Sequence, residues 1–308
     1  MRGKTGSGVR LAVAGAAMVA LALVAGCGNG STGSNSSSGP KSPAPKVTAD
    51  KALSAKVPAA IKQAGTVTVG TDSTYAPSEF LAADGKTVQG FDVDLFNAVM
   101  AKLGLKAKYE SAKFGVIIAG VESGKYTAGV SSFTINADRL KQANMVSYFS
   151  AGTWWATKKG NPSKITQDTA CGHKVAVQTD TVQVDDITAR SKKCVSAGKK
   201  AISIDQYEAQ DQATASVVSG KDDAMLADSP VVAYAVKKTG GQMEKLGSIY
   251  EAAPYGYVVK KDQLAFAEAI QGALKELISD GTYAKILTNW GVQDGKIDNP
   301  TVNPSVTG

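Results

Sequence analysis

The stretch KVAVQTDTVQVDDITARSKKCVSAGKKAISIDQYEAQDQATASVVSGKDDAMLADSPVVAYAVKK (174–238) changes its hydrophobic period five times in succession. Lys174–Gln178 is a short β-rich run, and Val182–Lys193 carries apolar residues at helical spacing. Ile202–Asp205 then reads as a strand, Glu208–Val218 as a helix, Asp223–Leu226 as a strand and Pro230–Lys238 as a helix. Strands that alternate with helices of this length argue for parallel sheets with helices on their faces, an α/β fold.

The same alternation precedes it. TVTVG (66–70) and Ala107–Glu110 read as strands, Val116–Glu122 as a helix closed by Ser123-Gly124, and Ala128–Ser132 as a buried strand before a polar helix from about Ala137. Asp92 is placed to cap a helix whose apolar residues Val93, Phe96, Val99, Met100 and Leu103 share a face, and Gly104 ends it. Two such series imply two α/β lobes. A strand at Gly256–Val259 and a helical run over Gln263–Leu287 follow the second series, and periodicity alone assigns them to neither lobe.

The chain's beginning reads differently. Met1–Arg10 is short and basic, Leu11–Val24 is apolar, and Val24-Ala25-Gly26-Cys27 resembles a bacterial lipobox. The apolar run is shorter than the roughly 20 residues of a membrane span and has signal-peptide length. Residues 1–26 are therefore expected to be a lipoprotein signal peptide, with Cys27 the lipidated N-terminus of the mature chain. Residues 27–50, rich in Ser, Gly, Asn, Pro and Lys, are expected to be a disordered tether with a reach of roughly 25 Å. A lead-in over 51–65 precedes the first strand. This expected location is the extracellular face of the membrane, where a disulfide between Cys171 and Cys194 is the default. Two buried free thiols are the alternative.

Composition narrows the chemistry. The 308 residues are a soft prior for about two domains, and at 43% hydrophobic they can fill a sizeable core. The formal charge of +7 falls to 31 − 27 = +4 once Arg2, Lys4 and Arg10 leave with the signal peptide. That is too weak a bias for nucleic acid. One histidine, His173, and three cysteines exclude a two-histidine metal site and an all-cysteine zinc site. No cofactor is expected.

Six segments carry a resemblance: GTDSTYAPSEF (70–80), GFDVDLFNAVMAKLGLK (90–106), SSFTINADR (131–139), VAVQTDTVQ (175–183), DAMLADSPVVAY (223–234) and PYGYVVKKD (254–262). In this order they resemble the polar-amino-acid-binding family of bacterial ABC-transporter solute-binding proteins. The resemblance implies a type II periplasmic-binding-protein fold, two α/β lobes joined by two hinge strands. Lobe 1 would comprise 66–153 and 256–308, lobe 2 158–253, with hinges near Trp154–Thr157 and Pro254–Tyr257. It also implies a monomer that captures a polar or basic amino acid and delivers it to an ABC permease with its ATPase.

The same resemblance implies the site. Arg139, five residues after Thr134, would grip the ligand carboxylate with its two-pronged guanidinium, helped by backbone N–H groups near Ser132 and Thr134. Asp228 would receive the α-ammonium, with Ser131 as a second acceptor; an N-cap is the bland alternative for Asp228. Asp72, Tyr75, Phe114, Gln178 and Thr181 would meet the ligand side chain, although Phe114 is also a plausible core residue. Trp154 and Trp155 are open between cleft lining and hinge packing. Three positions depart from the family pattern: Asp180 where glycine is typical, Val182 where several relatives have threonine, and Gly115 where Asp is frequent. A cyclohexadienyl dehydratase-like enzyme on the same fold is the competing class, with Glu79 or His173 as its conceivable acid. A component that presents ligand to a sensor is the third.

Overall fold

The computed structural model describes residues 42–306; the expected signal peptide, Cys27 and most of the expected tether lie outside them. The end of that tether is docked. Val47 packs on the core, and Asp50 caps helix α1 (Lys51–Lys56), its carboxylate accepting from the Leu53 N–H at 2.8 Å. Helix α2 (Ala59–Ala64) then leads to strand β1 (Thr66–Thr71).

The first half continues with a small sheet of β2 (Thr74–Tyr75), β3 (Glu79–Leu81) and β4 (Val88–Gln89). Helix α3 (Phe91–Lys102) and strand β5 (Lys106–Ser111) follow, then helix α4 (Ile117–Glu122), strand β6 (Ala128–Gly129) and helix α5 (Ala137–Gln142). The buried strand expected over Ala128–Ser132 is only two residues long, because Ser132 turns the chain with φ of 49°. Strand β7 (Asn144–Lys158) crosses into the second half. That half holds β8 (Lys174–Gln178), α6 (Val182–Ser196), β9 (Ser203–Tyr207), α7 (Gln210–Ser219), β10 (Ala224–Asp228) and α8 (Ser229–Lys238). Strand β11 (Met243–Val259) crosses back, and α9 (Leu264–Ser279) and α10 (Thr282–Trp290) complete the first half. The helical run expected as one piece is split at Gly281, whose φ of 79° suits glycine.

The main sheet has the order β5-β1-β6-β11-β7-β10-β8-β9. The outer groups β5-β1-β6 and β10-β8-β9 are parallel, as the alternation predicts. β7 and β11 are antiparallel to each other and to their other neighbours, which corrects the expectation of purely parallel sheets. These two long strands are the connection between two α/β lobes. Trp154–Thr157 already pairs with β10, so the first crossing lies earlier along β7 than the expected hinge. Register shifts between Leu246 and Tyr250 and between Tyr250 and Ala253 mark the crossing on β11.

One core packs Phe91, Leu95, Phe96 and Val99 of α3 against β1, β7, β11, α9 and α10. In the second lobe Val175, Val177, Ile187 and Leu226 pack on one sheet face, Ala176, Ala213, Val217 and Met225 on the other. Asp92 is not the cap of α3. Gly90 holds that position, and Asp92 is buried inside the first turn. Cys171 and Cys194 are joined in a disulfide between the turn before β8 and the end of α6. By loop entropy such a closure contributes about 3 kcal/mol.

Candidate functional site

Parallel strands deliver side chains to their carboxyl ends, and both lobes turn those ends toward the same gap. Asp72 follows β1, Ser131 and Ser132 follow β6, Gln178 ends β8 and Asp228 ends β10. Together with Tyr75, Phe114, Thr134, Arg139 and Thr181 they line one narrow cavity. All ten residues named from the sequence thus converge, and they come from both lobes.

The guanidinium of Arg139 is held by backbone. Nη1 donates to the Thr134 carbonyl at 2.9 Å and Nη2 to the Asp180 carbonyl at 3.3 Å. The ring faces of Phe114 and Phe133 lie 5.2 and 5.6 Å from its carbon. Asn136 caps α5 by accepting from the Arg139 N–H at 2.9 Å, fixing where the side chain starts. Burial lowers the guanidinium to about 10, with the Asp228 charge opposing that shift, so it stays protonated at neutral pH. Among the described residues it makes no ion pair with a carboxylate.

Asp228 does not act as a side-chain cap. It stands at the N-cap position of α8, yet its side chain makes no capping bond. Instead it accepts from the Tyr75 hydroxyl and from Gln183 Nε2, each at 2.8 Å. Burial raises its carboxyl above the usual range. Asp72 is raised by burial too, against bonds from Thr74 and from Gln178, whose Nε2 lies 2.5 Å away. The Asp72–Gln178 and Tyr75–Asp228 bonds both join one lobe to the other, so the cavity is seen closed.

Other expected residues have divided loyalties. Phe114 is both wall and core, stacked on Phe133 at 4.8 Å. The Ser131 hydroxyl accepts from the Asp72 N–H and donates to Glu79, and the Ser132 N–H donates to Asp92. Both serines are therefore held from behind the cavity. Thr181 donates to the Gln178 carbonyl at 2.7 Å. Neither tryptophan lines the cavity: Trp154 donates to the Gly247 carbonyl, and the buried Trp155 donates to the Tyr250 hydroxyl. Val182 and Gln183 do line it and were not named as site residues. Gln183 lies in the first turn of α6, where nothing in the local pattern marks it as facing the cavity.

Two of the departures meet. Asp180 takes φ of 61°, the conformation glycine would adopt, and its carboxylate lies over Gly115, where a Cβ would sit 2.0 Å from Oδ2. An Asp in one loop thus fills the space left by a Gly in the other.

Residues 67–293 match the model of the bacterial extracellular solute-binding proteins, family 3. The chain belongs to that family. Its family-3 relatives include the arginine-binding protein ArgT of Corynebacterium glutamicum, 34% identical over 242 residues, covering 78% of this chain and 79% of that one. Among solved structures, an ancestral arginine-binding protein bound to arginine matches with a TM-score of 0.67 at 33% identity, covering 73% of this chain and 98% of that one. The ancestral amino acid-binding protein AncCDT-1, a precursor of cyclohexadienyl dehydratase, matches with a TM-score of 0.68 at 31% identity, covering 75% and 97%. The fold is the type II periplasmic-binding-protein fold. Among the described residues no helix is long and apolar enough to cross a membrane.

Proposed function

We propose that this solute-binding protein captures a cationic amino acid, L-arginine first among them, and hands it to an ABC importer without chemical change. The observation that carries this reading is the charge of the cavity. It is lined by one guanidinium, Arg139, and two carboxylates, Asp72 and Asp228, none of them in an ion pair among the described residues. Buried charges demand partners. A zwitterion supplies an α-carboxylate for Arg139 and an α-ammonium for Asp228, and a cationic side chain answers the remaining carboxylate, Asp72. The similarity to two arginine-binding proteins, ArgT and the ancestral protein bound to arginine, supports the same choice.

A dehydratase would need a general acid in the cavity. Glu79 is fully buried behind Ser131 and outside the lining, and His173 is at the opposite end of β8 from Gln178, about 17 Å along the strand. Incubation with prephenate should yield no phenylpyruvate, and turnover would overturn the transport reading.

The ligand is tested by thermal shift of the mature chain against the amino acids. L-arginine at about a hundred times its dissociation constant should add about 2.7 kcal/mol of stability, whereas L-glutamate should add none. A response to glutamate without one to arginine or lysine would reverse the assignment. The mature protein is proposed to be a monomer held on the outer membrane face by lipid on Cys27. Cys27→Ser should release it into the medium, and unchanged retention on cells would refute the anchor.

The Gly115–Asp180 fit predicts a coupled pair. Gly115→Asp alone should weaken L-arginine binding about tenfold or more, because a second carboxylate is forced into occupied space beside a like charge. Adding Asp180→Gly should restore most of the loss. Calorimetry on the three proteins checks this, and equal affinities in both variants would contradict it.

A further inference from the structure

Glu79 begins β3 and Asp92 lies in the first turn of α3, and both are completely buried. The backbone makes them neighbours: the Phe91 N–H donates to the Pro77 carbonyl and the Asp92 N–H to the Ser78 carbonyl. Gly90 permits this approach, since a Cβ there, at φ of 146°, would sit 1.9 Å from the Ser78 oxygen. Two of the four carboxyl oxygens accept hydrogen bonds and two do not. Glu79 Oε1 accepts from the Ser131 hydroxyl at 2.9 Å. Asp92 Oδ2 accepts from the Ser132 N–H at 3.1 Å and from the Tyr148 hydroxyl at 2.5 Å. Glu79 Oε2 and Asp92 Oδ1 are left, buried, with no donor among the described residues. The two carboxyls are gathered side by side, since the adjacent residues Ser131 and Ser132 bond one each and the Asp92 N–H bonds the residue before Glu79. Two carboxylates cannot bond unless one carries a proton.

We propose that Glu79 and Asp92 hold one proton between them, and that this acid–carboxylate pair is the positioning element fixing the Ser131–Ser132 floor of the cavity. The pair's outer oxygens hold that floor. The Asp72 N–H donates to Ser131 and Ser131 donates to Glu79, while Asp92 anchors the left-handed backbone of Ser132. The role rests on the reading of the cavity as a binding site; the proton itself does not. The titratable groups around the pair are Asp72 after β1, Tyr75 on β2, Tyr109 on β5, Tyr148 on β7 and Tyr257 on β11. None is basic, and among the described residues neither carboxyl makes an ion pair. Burial raises both, Asp92 to about 6 and Glu79 well above its usual range. A carboxyl raised on folding stabilises the fold below its unfolded pKa, and that stability is lost as pH rises through the folded one.

Glu79→Gln freezes the singly protonated state, because the amide donates to Asp92 and accepts from Ser131 with the same net charge. Infrared spectra of the ligand-free protein at neutral pH should show a carboxylic-acid C=O band in the wild type that Glu79→Gln removes. From mildly acidic pH upward, until the pair loses its proton, the wild-type folding constant should fall relative to the variant by up to about tenfold per pH unit. Affinity for L-arginine should decline with it in the wild type and hold better in the variant. Absence of the band, or parallel stability profiles, would overturn the shared proton. Equal decline of affinity in both proteins would overturn the positioning role. Should the glutamine variant not fold, the wild-type band and the profile of Asp92→Asn, which carries the same net charge, decide. Failure of arginine to bind at any pH counts against the ligand assignment alone, since the first two readouts use ligand-free protein.

Discussion

Arg139→Ala is expected to lower the affinity for L-arginine by about a hundredfold to several thousandfold while the protein stays folded. Closure of the lobes strips water from the ligand carboxylate, and without the guanidinium that charge is buried unpaired. Breaking a buried pair in this way costs about 3–5 kcal/mol. Arg139→Lys keeps the charge and loses the fork, so it should also bind clearly more weakly than wild type. Asp228→Asn tests the other end of the zwitterion and should lose a similar amount. Its Oδ1 and Oδ2 now accept from Gln183 and Tyr75, and an amide can keep only part of that pattern. Circular dichroism separates loss of binding from loss of fold, and calorimetry reads the affinity. A folded variant within about threefold of wild type would remove the zwitterion clamp.

The second large effect is a change of preference at Asp72. Asp72→Asn removes the charge proposed to meet a cationic side chain, and truncating one partner of a buried charge pair costs about 2–5 kcal/mol. L-arginine affinity should fall at least about thirtyfold, whereas affinity for L-glutamine should hold or rise. Thr74 can still donate to the retained oxygen, and Gln178 can turn its amide to accept from the new Nδ2. The wild type carries a matching pH signature. Burial raises Asp72 and Asp228 in the free protein, and a bound cation favours their charged forms. The contribution of these two carboxylates to binding is therefore full above their raised free values and is lost as pH falls through them. Competition calorimetry with the two ligands, repeated toward acid, checks both statements.

Much of this molecule is legible in its sequence, and the illegible parts share a cause. Lys174–Gln178 shows up as a short apolar run buried on both sides, and the helices either side of β9 because each buries one face, so their period survives in the letters. β11 did not show over Met243–Ala253, since its residues there are largely exposed and take their shape from pairing with β7 far away in the chain. The hairpins of β2, β3 and β4 are too short to carry a period. The ten cavity residues were found through motif resemblance, which periodicity alone would not have supplied. Gln183 was passed over because a glutamine in a first helical turn resembles any solvated residue; only its bonds to Thr153 and Asp228 give it meaning. The proton shared by Glu79 and Asp92 was hidden for the same reason: nothing in either local pattern announces the other.

The central claim is that two lobes clamp a cationic amino acid by its zwitterion, and a crystal structure with L-arginine tests it most directly. The expected density shows the ligand carboxylate on the Arg139 guanidinium, the α-ammonium at Asp228 and the side-chain guanidinium at Asp72. Density for arginine in the reverse orientation, or outside the cavity lined by these three residues, would contradict it.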